Sequence, residues 1–331
     1  MTVTPEPTEV VPPTALRPAP HGIAGRVRSG AVDHPVAVVW LGTALFSTGP
    51  VMVAASSVSG PVFSFWRLWI GVPILAVATW INVRRGGGRP SRAGIYGAVG
   101  AGIAFGLHQL LFMSALKATS VVDVTLMNTL APVVVAVLAV PLFGERPGIG
   151  FRLWSLVAIA GAAVVAVAGS SGPQGNPAGI ALAAGNVVFY AVYFVWSKKV
   201  RDQIATWPFL LVALLSAAVV VSTFGIVAGE PLGAISAHDL LLCLAVALLP
   251  GALGHFAITW SLAWVPANVP PVILLAMPVL SGLLAWVLLG QTTTVGKLVG
   301  GAVTLVGVLG ALRSPGLPAT AAEALDLAEE S

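Results

Sequence analysis

A handful of polar side chains lie inside stretches that are otherwise apolar, and these are the groups able to bind or react. His108 and Gln109 are adjacent in one such stretch, and His255 is followed by Thr259 and Trp260 in another. Asn186, Tyr190 and Tyr193 are spaced by four and three residues, which puts them on one face of a helix. Asp123, Thr125 and Asn128 precede Pro132, Ser47 and Thr48 precede Gly49–Pro50, and Arg67 stands alone. Amides, phenols and imidazoles bind polar or aromatic solutes reversibly, and an imidazole also changes charge near neutral pH. Covalent chemistry would need more. The chain has no HExxH and no GxSxG, and neither histidine has a second ligand three or four residues away, so no catalytic centre, metal or cofactor is expected. It has no nucleotide-binding motif either, so ATP is not the direct source of energy.

Each of these groups admits a plainer role. Arg67 and Asp123 both lie shallowly in their stretches, Arg67 at ~9 Å by helix rise. They either face one another as an ion pair or gate, or Arg67 snorkels to phosphates while Asp123 caps a helix with Ser120. His108 and His255 are either site residues or neutral side chains bonded to a neighbouring helix. Pro132 and Pro278 each remove a backbone hydrogen bond and break a helix near the middle of the chain's apolar runs.

What must position these residues follows from composition. The chain is 57% hydrophobic and 8% charged, where a soluble domain carries about 25% charged residues. Ten apolar stretches have the length of a membrane span, roughly 20 residues: 35–55, 61–83, 93–116, 121–143, 151–169, 177–197, 207–228, 240–264, 268–289 and 295–312. They are continuous rather than alternating, which argues for helices over a strand barrel. Residues 1–34 form a Pro-rich basic tail without an apolar leader, and 314–331 an acidic one. The lone Cys243 excludes an internal disulfide.

Of the 16 Lys and Arg, all but Lys117, Lys297 and the in-span Arg67 fall on one side when the loops are alternated. By the positive-inside rule that side is the cytoplasm, which holds both termini, and the split leaves no basic patch for nucleic acid.

The chain is also written twice. Pro132 and Pro278, Leu142 and Leu288, Gly144 and Gly290, Gly150 and Gly296, and Gly161 and Gly307 are each 146 residues apart. Spans 1–5 (residues 35–170) answer to spans 6–10 (171–313). An odd number of spans per copy forces the two copies to enter the membrane from opposite sides, as in secondary transporters that bind solute at mid-membrane between their halves. The Gly-rich spans 5 and 10 are assigned to close helix packing.

Pro132 in the fourth span, the LFGERPGIG turn after it, the Gly-rich fifth span and Phe65–Trp66–Arg67 in the second resemble the EamA-type repeat of the drug/metabolite transporter superfamily. Gln291 departs from the pattern at the second turn, where an acidic residue is usual. The resemblance covers 36–312 and implies an all-α membrane protein of ten transmembrane helices arranged as two inverted five-helix EamA repeats. It also implies a cavity lined by spans 1, 3, 4, 6, 8 and 9, and a permease rather than an enzyme. The expected function is export of a small metabolite such as an amino acid across the cytoplasmic membrane by alternating access. A multidrug or cation-efflux carrier of the same fold is the alternative. The partners expected are a small-molecule substrate and the lipid bilayer, with a homodimer left open. Facilitated diffusion is favoured over ion coupling, because no acidic residue lies at mid-membrane.

Overall fold

The computed structural model describes residues 35–85, 90–143, 148–171, 176–200, 203–254, 257–258 and 273–314. Both tails, the Glu145–Arg146 turn, His255, Thr259 and Trp260 lie outside the described residues. Helices dominate: α1 Pro35–Ala55, α2 Gly60–Arg84, α3 Arg92–Ala118, α4 Val121–Asn128, α5 Ala131–Phe143, α6 Ile149–Ser171, α7 Pro177–Val200, α8 Thr206–Val227, α9 Ala237–Val246, α10 Met277–Leu289 and α11 Val295–Leu312. A π-helical segment, Ala247–Gly254, continues α9. No strand occurs among the described residues, and seven of their helical stretches are long and apolar enough to cross a bilayer, accompanied by shorter apolar helices.

Local sequence explains where these helices start. Ser59, Ser91, Ser120, Ser236 and Thr294 each precede a helix, and each hydroxyl accepts the N–H three residues on, at Val62, Gly94, Asp123, Asp239 and Lys297. Such a cap satisfies a backbone donor that hydrocarbon would leave bare. Inside the helices, Thr43, Ser47 and Thr48 return their hydroxyls to the carbonyls of Val39, Thr43 and Leu45, which hides them from lipid.

The fourth span, one apolar run over 121–143 with Pro132 read as its break, is two helices. Pro132 has no N–H to give the carbonyl of Asn128, and the chain turns at Thr129–Leu130, whose N–H groups reach back only three residues, to Leu126 and Met127. The eighth span differs as well. It begins at Ala237 rather than Leu240 and widens into the π-helical segment around Pro250. The helix carrying Pro278 begins at Met277, with the proline in its first turn.

The two copies meet across several helix pairs. α6 and α11 pack most extensively, and α3 lies between α7 and α8. α2 packs on α8, and α1 on the π-helical segment and α10. The α6–α11 contact is antiparallel and nearly self-complementary. Gly161 faces Thr304 while Gly307 faces Ala158, and Gly150 faces Ser314 while Gly296 faces Ala168. Adding 146 to one partner and subtracting it from the other turns each of these contacts into its mate, as an approximate twofold between the copies requires. The outer faces are apolar: Leu153, Val167, Val227, Trp286 and Val287 are exposed, an arrangement suited to lipid rather than water.

At Gly161 a Cβ would lie 2.4 Å from the Thr304 nitrogen, and at Gly307 one would lie 2.3 Å from the Ala158 nitrogen. Both obstacles are backbone, so neither can rotate away. Gly161→Ala and Gly307→Ala are therefore expected to destabilise the detergent-solubilised protein by about 1–3 kcal/mol in thermal unfolding. Gly233→Ala, with open space around it, is expected to leave the midpoint unchanged.

Candidate functional site

Arg67, His108, Gln109, Asn128, Asn186 and Tyr190 come together from four elements. The Arg67 Nη1 donates to Gln109 Oε1 at 2.7 Å, and Ser64 Oγ on the same helix donates to the Gln109 carbonyl at 3.2 Å. These bonds tie α2 to α3. One residue earlier on α3, the His108 ring lies 4.8 Å from that of Tyr190, 5.6 Å from Phe105 and 5.9 Å from Phe112. Tyr190 meets Phe194 edge-on at 4.5 Å, and Tyr193 lies against Phe105 at 5.0 Å. Asn186, fully buried beside His108, donates its Nδ2 to Asn128 Oδ1 at the end of α4.

The cluster straddles the two copies. Arg67, His108, Gln109 and Asn128 belong to the first, and Asn186 and Tyr190 to the second. The helix break after Asn128 lets α4 end at this point, and the four-residue spacing on α7 sends Asn186 and Tyr190 to the same side. Two of its buried polar atoms, His108 Nδ1 and Asn186 Oδ1, make no well-formed hydrogen bond among the described residues, although the two side chains face each other. Each such atom costs roughly 1–3 kcal/mol when nothing occupies it. The arrangement offers acceptors, an amide and an aromatic wall to a solute, and no nucleophile paired with a base.

The other sequence-derived candidates fall elsewhere. Ser47 is buried, but its hydroxyl is spent on the carbonyl of Thr43 in its own helix. Of the two readings of Arg67 and Asp123, the mutual pair does not form: Arg67 turns to Gln109, while Asp123 sits in the Ser120-capped first turn of α4 and pairs with Lys297. Pro132 marks the α4–α5 break, and Pro278 lines a groove of about 580 Å³ between α4, α10 and α11. Among the described residues no group of three His, Cys, Asp or Glu could hold a metal ion.

The Asp123–Lys297 pair is the feature sequence reading missed. Lys297 Nζ lies 2.8 Å from Asp123 Oδ2, with the two side chains 3% and 0% exposed. Thr119 and Ser120 donate hydroxyls to the same oxygen at 2.8 and 2.6 Å, and Lys297 also reaches Ser120 Oγ at 3.2 Å. Gln291, at the position where the repeat pattern has an acid, accepts the N–H of Val121 at 3.0 Å. A signal existed in sequence: Asp123 and Lys297 are each the third residue after a Ser or Thr cap, at the start of two spans read as entering from the same side.

A second clasp joins the copies at that same end. Asp239 accepts the N–H and hydroxyl of Ser57 at 2.7 and 2.6 Å and the hydroxyl of Ser236 at 2.7 Å. Ser59 donates to Glu230 at 2.6 Å, and Trp66 Nε1 donates to the Leu232 carbonyl at 3.0 Å. Lys117 donates to the Ser56 carbonyl.

A buried ion pair is costly to break from one side, because the surviving charge is stranded: about 3–5 kcal/mol is typical. Lys297→Met is therefore expected to lower the thermal midpoint strongly. Asp123→Asn combined with Lys297→Met is expected to recover most of the loss, as read by thermal unfolding of the purified variants.

Comparison with known proteins agrees with this geometry. The profile of the EamA-like transporter family matches residues 36–167 and 177–313, one match per copy. An uncharacterized transporter of Archaeoglobus fulgidus is 27% identical over 267 residues, covering 80% of this chain and 92% of its own length. The uncharacterized transporter YdfC of Bacillus subtilis is 24% identical over 206 residues, covering 62% of this chain and 67% of its own length. A protein of known crystal structure superposes with a TM-score of 0.55 at 20% identity, over 84% of this chain and 97% of that one, a likeness of fold alone. With two family matches that together span most of its length, and apolar helices suited to a bilayer, the chain is a multi-pass membrane protein belonging to the EamA-like transporter family.

Proposed function

We propose that the protein is a secondary carrier that moves a small metabolite, such as an amino acid, outward across the cytoplasmic membrane by alternating access. The reading includes ten spans in two inverted five-helix repeats, with both termini in the cytoplasm. The observation that carries it is the cross-copy polar cluster. An apolar bundle has no structural need to gather His108 and Asn186 at the junction of its halves with Nδ1 and Oδ1 lacking a well-formed hydrogen bond, but a solute site at that junction does. The antiparallel, self-complementary α6–α11 contact supports the inverted arrangement. The clasps at Asp123–Lys297 and Asp239–Ser57 suit a bundle closed at one end while the other admits solute. Carriage of cations is disfavoured, because Arg67 stands beside His108 in the cluster and repels positive charge.

Proteoliposomes loaded with a mixture of amino acids test the reading. Wild-type protein is expected to speed the release of at least one of them over empty liposomes. His108→Ala and Asn186→Ala are expected to slow that release at least tenfold while inserting normally. Release no faster than from empty liposomes, for every amino acid tested, would contradict it.

A further inference from the structure

We infer that Arg67 is the anchor for a carboxylate on the transported solute, and that the protein selects small carboxylates with an apolar or aromatic body. This rests on the carrier reading above and adds the chemical class of the cargo.

The first observation is where the guanidinium points. Arg67 is the eighth residue of α2, about 10 Å along the helix from its start. It is half-buried, and its Nη1 is fixed on Gln109, a side chain 3% exposed. His108 and the fully buried Cys243 are its other neighbours. An arginine reaching for lipid phosphate extends along the surface toward the headgroups, whereas this one is turned inward between α2, α3 and α9.

The second observation is the balance of charge. Arginine keeps its proton, so inside a bilayer it needs an anion. Asp123 is committed to Lys297. Both oxygens of Asp239 are taken up by Ser57 and Ser236, and Glu230 accepts from Ser59. The stretch 255–272 contains neither Asp nor Glu. The remaining acids, Glu6, Glu9, Asp33, Glu145, Asp202 and those after residue 314, fall in tails or turns outside the spans read from sequence. Among the described residues Arg67 therefore has an amide oxygen and no counter-ion. Keeping an uncompensated charge at this depth is expensive, and an anion that arrives and leaves would offset the cost on each cycle.

The third observation is the fit. A guanidinium presents a planar fork that matches the two oxygens of a carboxylate. One Nη1 hydrogen bond goes to Gln109 Oε1, and holding that oxygen turns the Gln109 amide N–H groups into further donors for the same anion. His108, a neighbour of Arg67, packs in turn against Tyr190, Phe105 and Phe112, an aromatic wall for an apolar body.

The test is ligand binding by the full-length protein in nanodiscs, followed by intrinsic tryptophan fluorescence, to which Trp66 beside Arg67 contributes, and by thermal shift. Two matched pairs serve as probes: 3-phenylpropionate with 3-phenylpropanamide, and L-phenylalanine with L-phenylalaninamide. Wild type is expected to bind each carboxylate at least tenfold more tightly than its amide. Arg67→Gln is expected to lose that preference, and Arg67→Lys to keep part of it. If Arg67→Gln does not fold, the wild-type comparison and Arg67→Lys decide the matter. The proposal is overturned if each amide binds as well as its acid, if neither carboxylate binds, or if a folded Arg67→Gln binds the acids as wild type does. If neutral or cationic solutes are released from proteoliposomes equally well by wild type and Arg67→Gln, the carrier reading stands and the carboxylate assignment falls. If nothing is released while the carboxylates bind through Arg67, the carrier reading falls instead.

Discussion

Hydrocarbon offers no hydrogen bonds and no counter-ions, and the organisation of this chain follows from that single lack. Every backbone group must be satisfied within the chain, so the described apolar stretches are helical. Hydroxyls inside the helices fold back on carbonyls of the preceding turn, as Thr43, Ser47, Ser216 and Thr304 do. Polar groups that cannot be hidden in this way collect where helices of the two copies meet. Among the described residues these include the Asp123–Lys297 ion pair, a serine–aspartate clasp and a cluster of amides and rings, each built from both halves of the chain.

Close approach of the helices is the second consequence. Lipid does not push helices together as water does, so contact has to come from packing. Glycines supply it: Gly161, Gly300 and Gly307 between α6 and α11, Gly97 and Gly100 between α3 and α7, and Gly102 and Gly106 between α3 and α8. With α6 braced against α11 at the side, the broken helices α4 and α9 are left to carry the irregular backbone. An interrupted helix is tolerated at membrane depth where it is enclosed by protein or lines a cavity, and the break after Asn128 lies beside the polar cluster.

Much of this was legible in the residues. Continuous apolar runs fixed the helices, and for α1 and α11 their ends as well, because a Pro or a capping Thr marks the boundary. The Gly-rich faces of the fifth and tenth spans marked both for close packing, and the structure packs them on each other. Pro132 announced the break in the fourth span. The π-helical widening around Pro250 was not legible, because one proline in an apolar run does not say how the backbone adjusts. Lys297 was read as a loop charge, because hydropathy does not reveal a partner 174 residues away. The neighbour of Arg67 stays open in the sequence for a related reason. Depth ranks which charges need company but does not say which helix faces which, and the packing of α2 on α3 is what brings Gln109 to Arg67.

The claim on which the rest turns is that water and solute reach the junction between the copies. A single cysteine at position 186, introduced in a Cys243→Ala background, measures this directly through its reaction with a membrane-impermeant thiol reagent applied to each face of oriented vesicles. Asn186 is fully buried and bonded across the copies, so in a closed structural bundle it would react from neither side. A site that opens alternately predicts reaction from at least one face, slowed by a bound solute. Complete protection from both faces, with the protein folded and inserted, would contradict it.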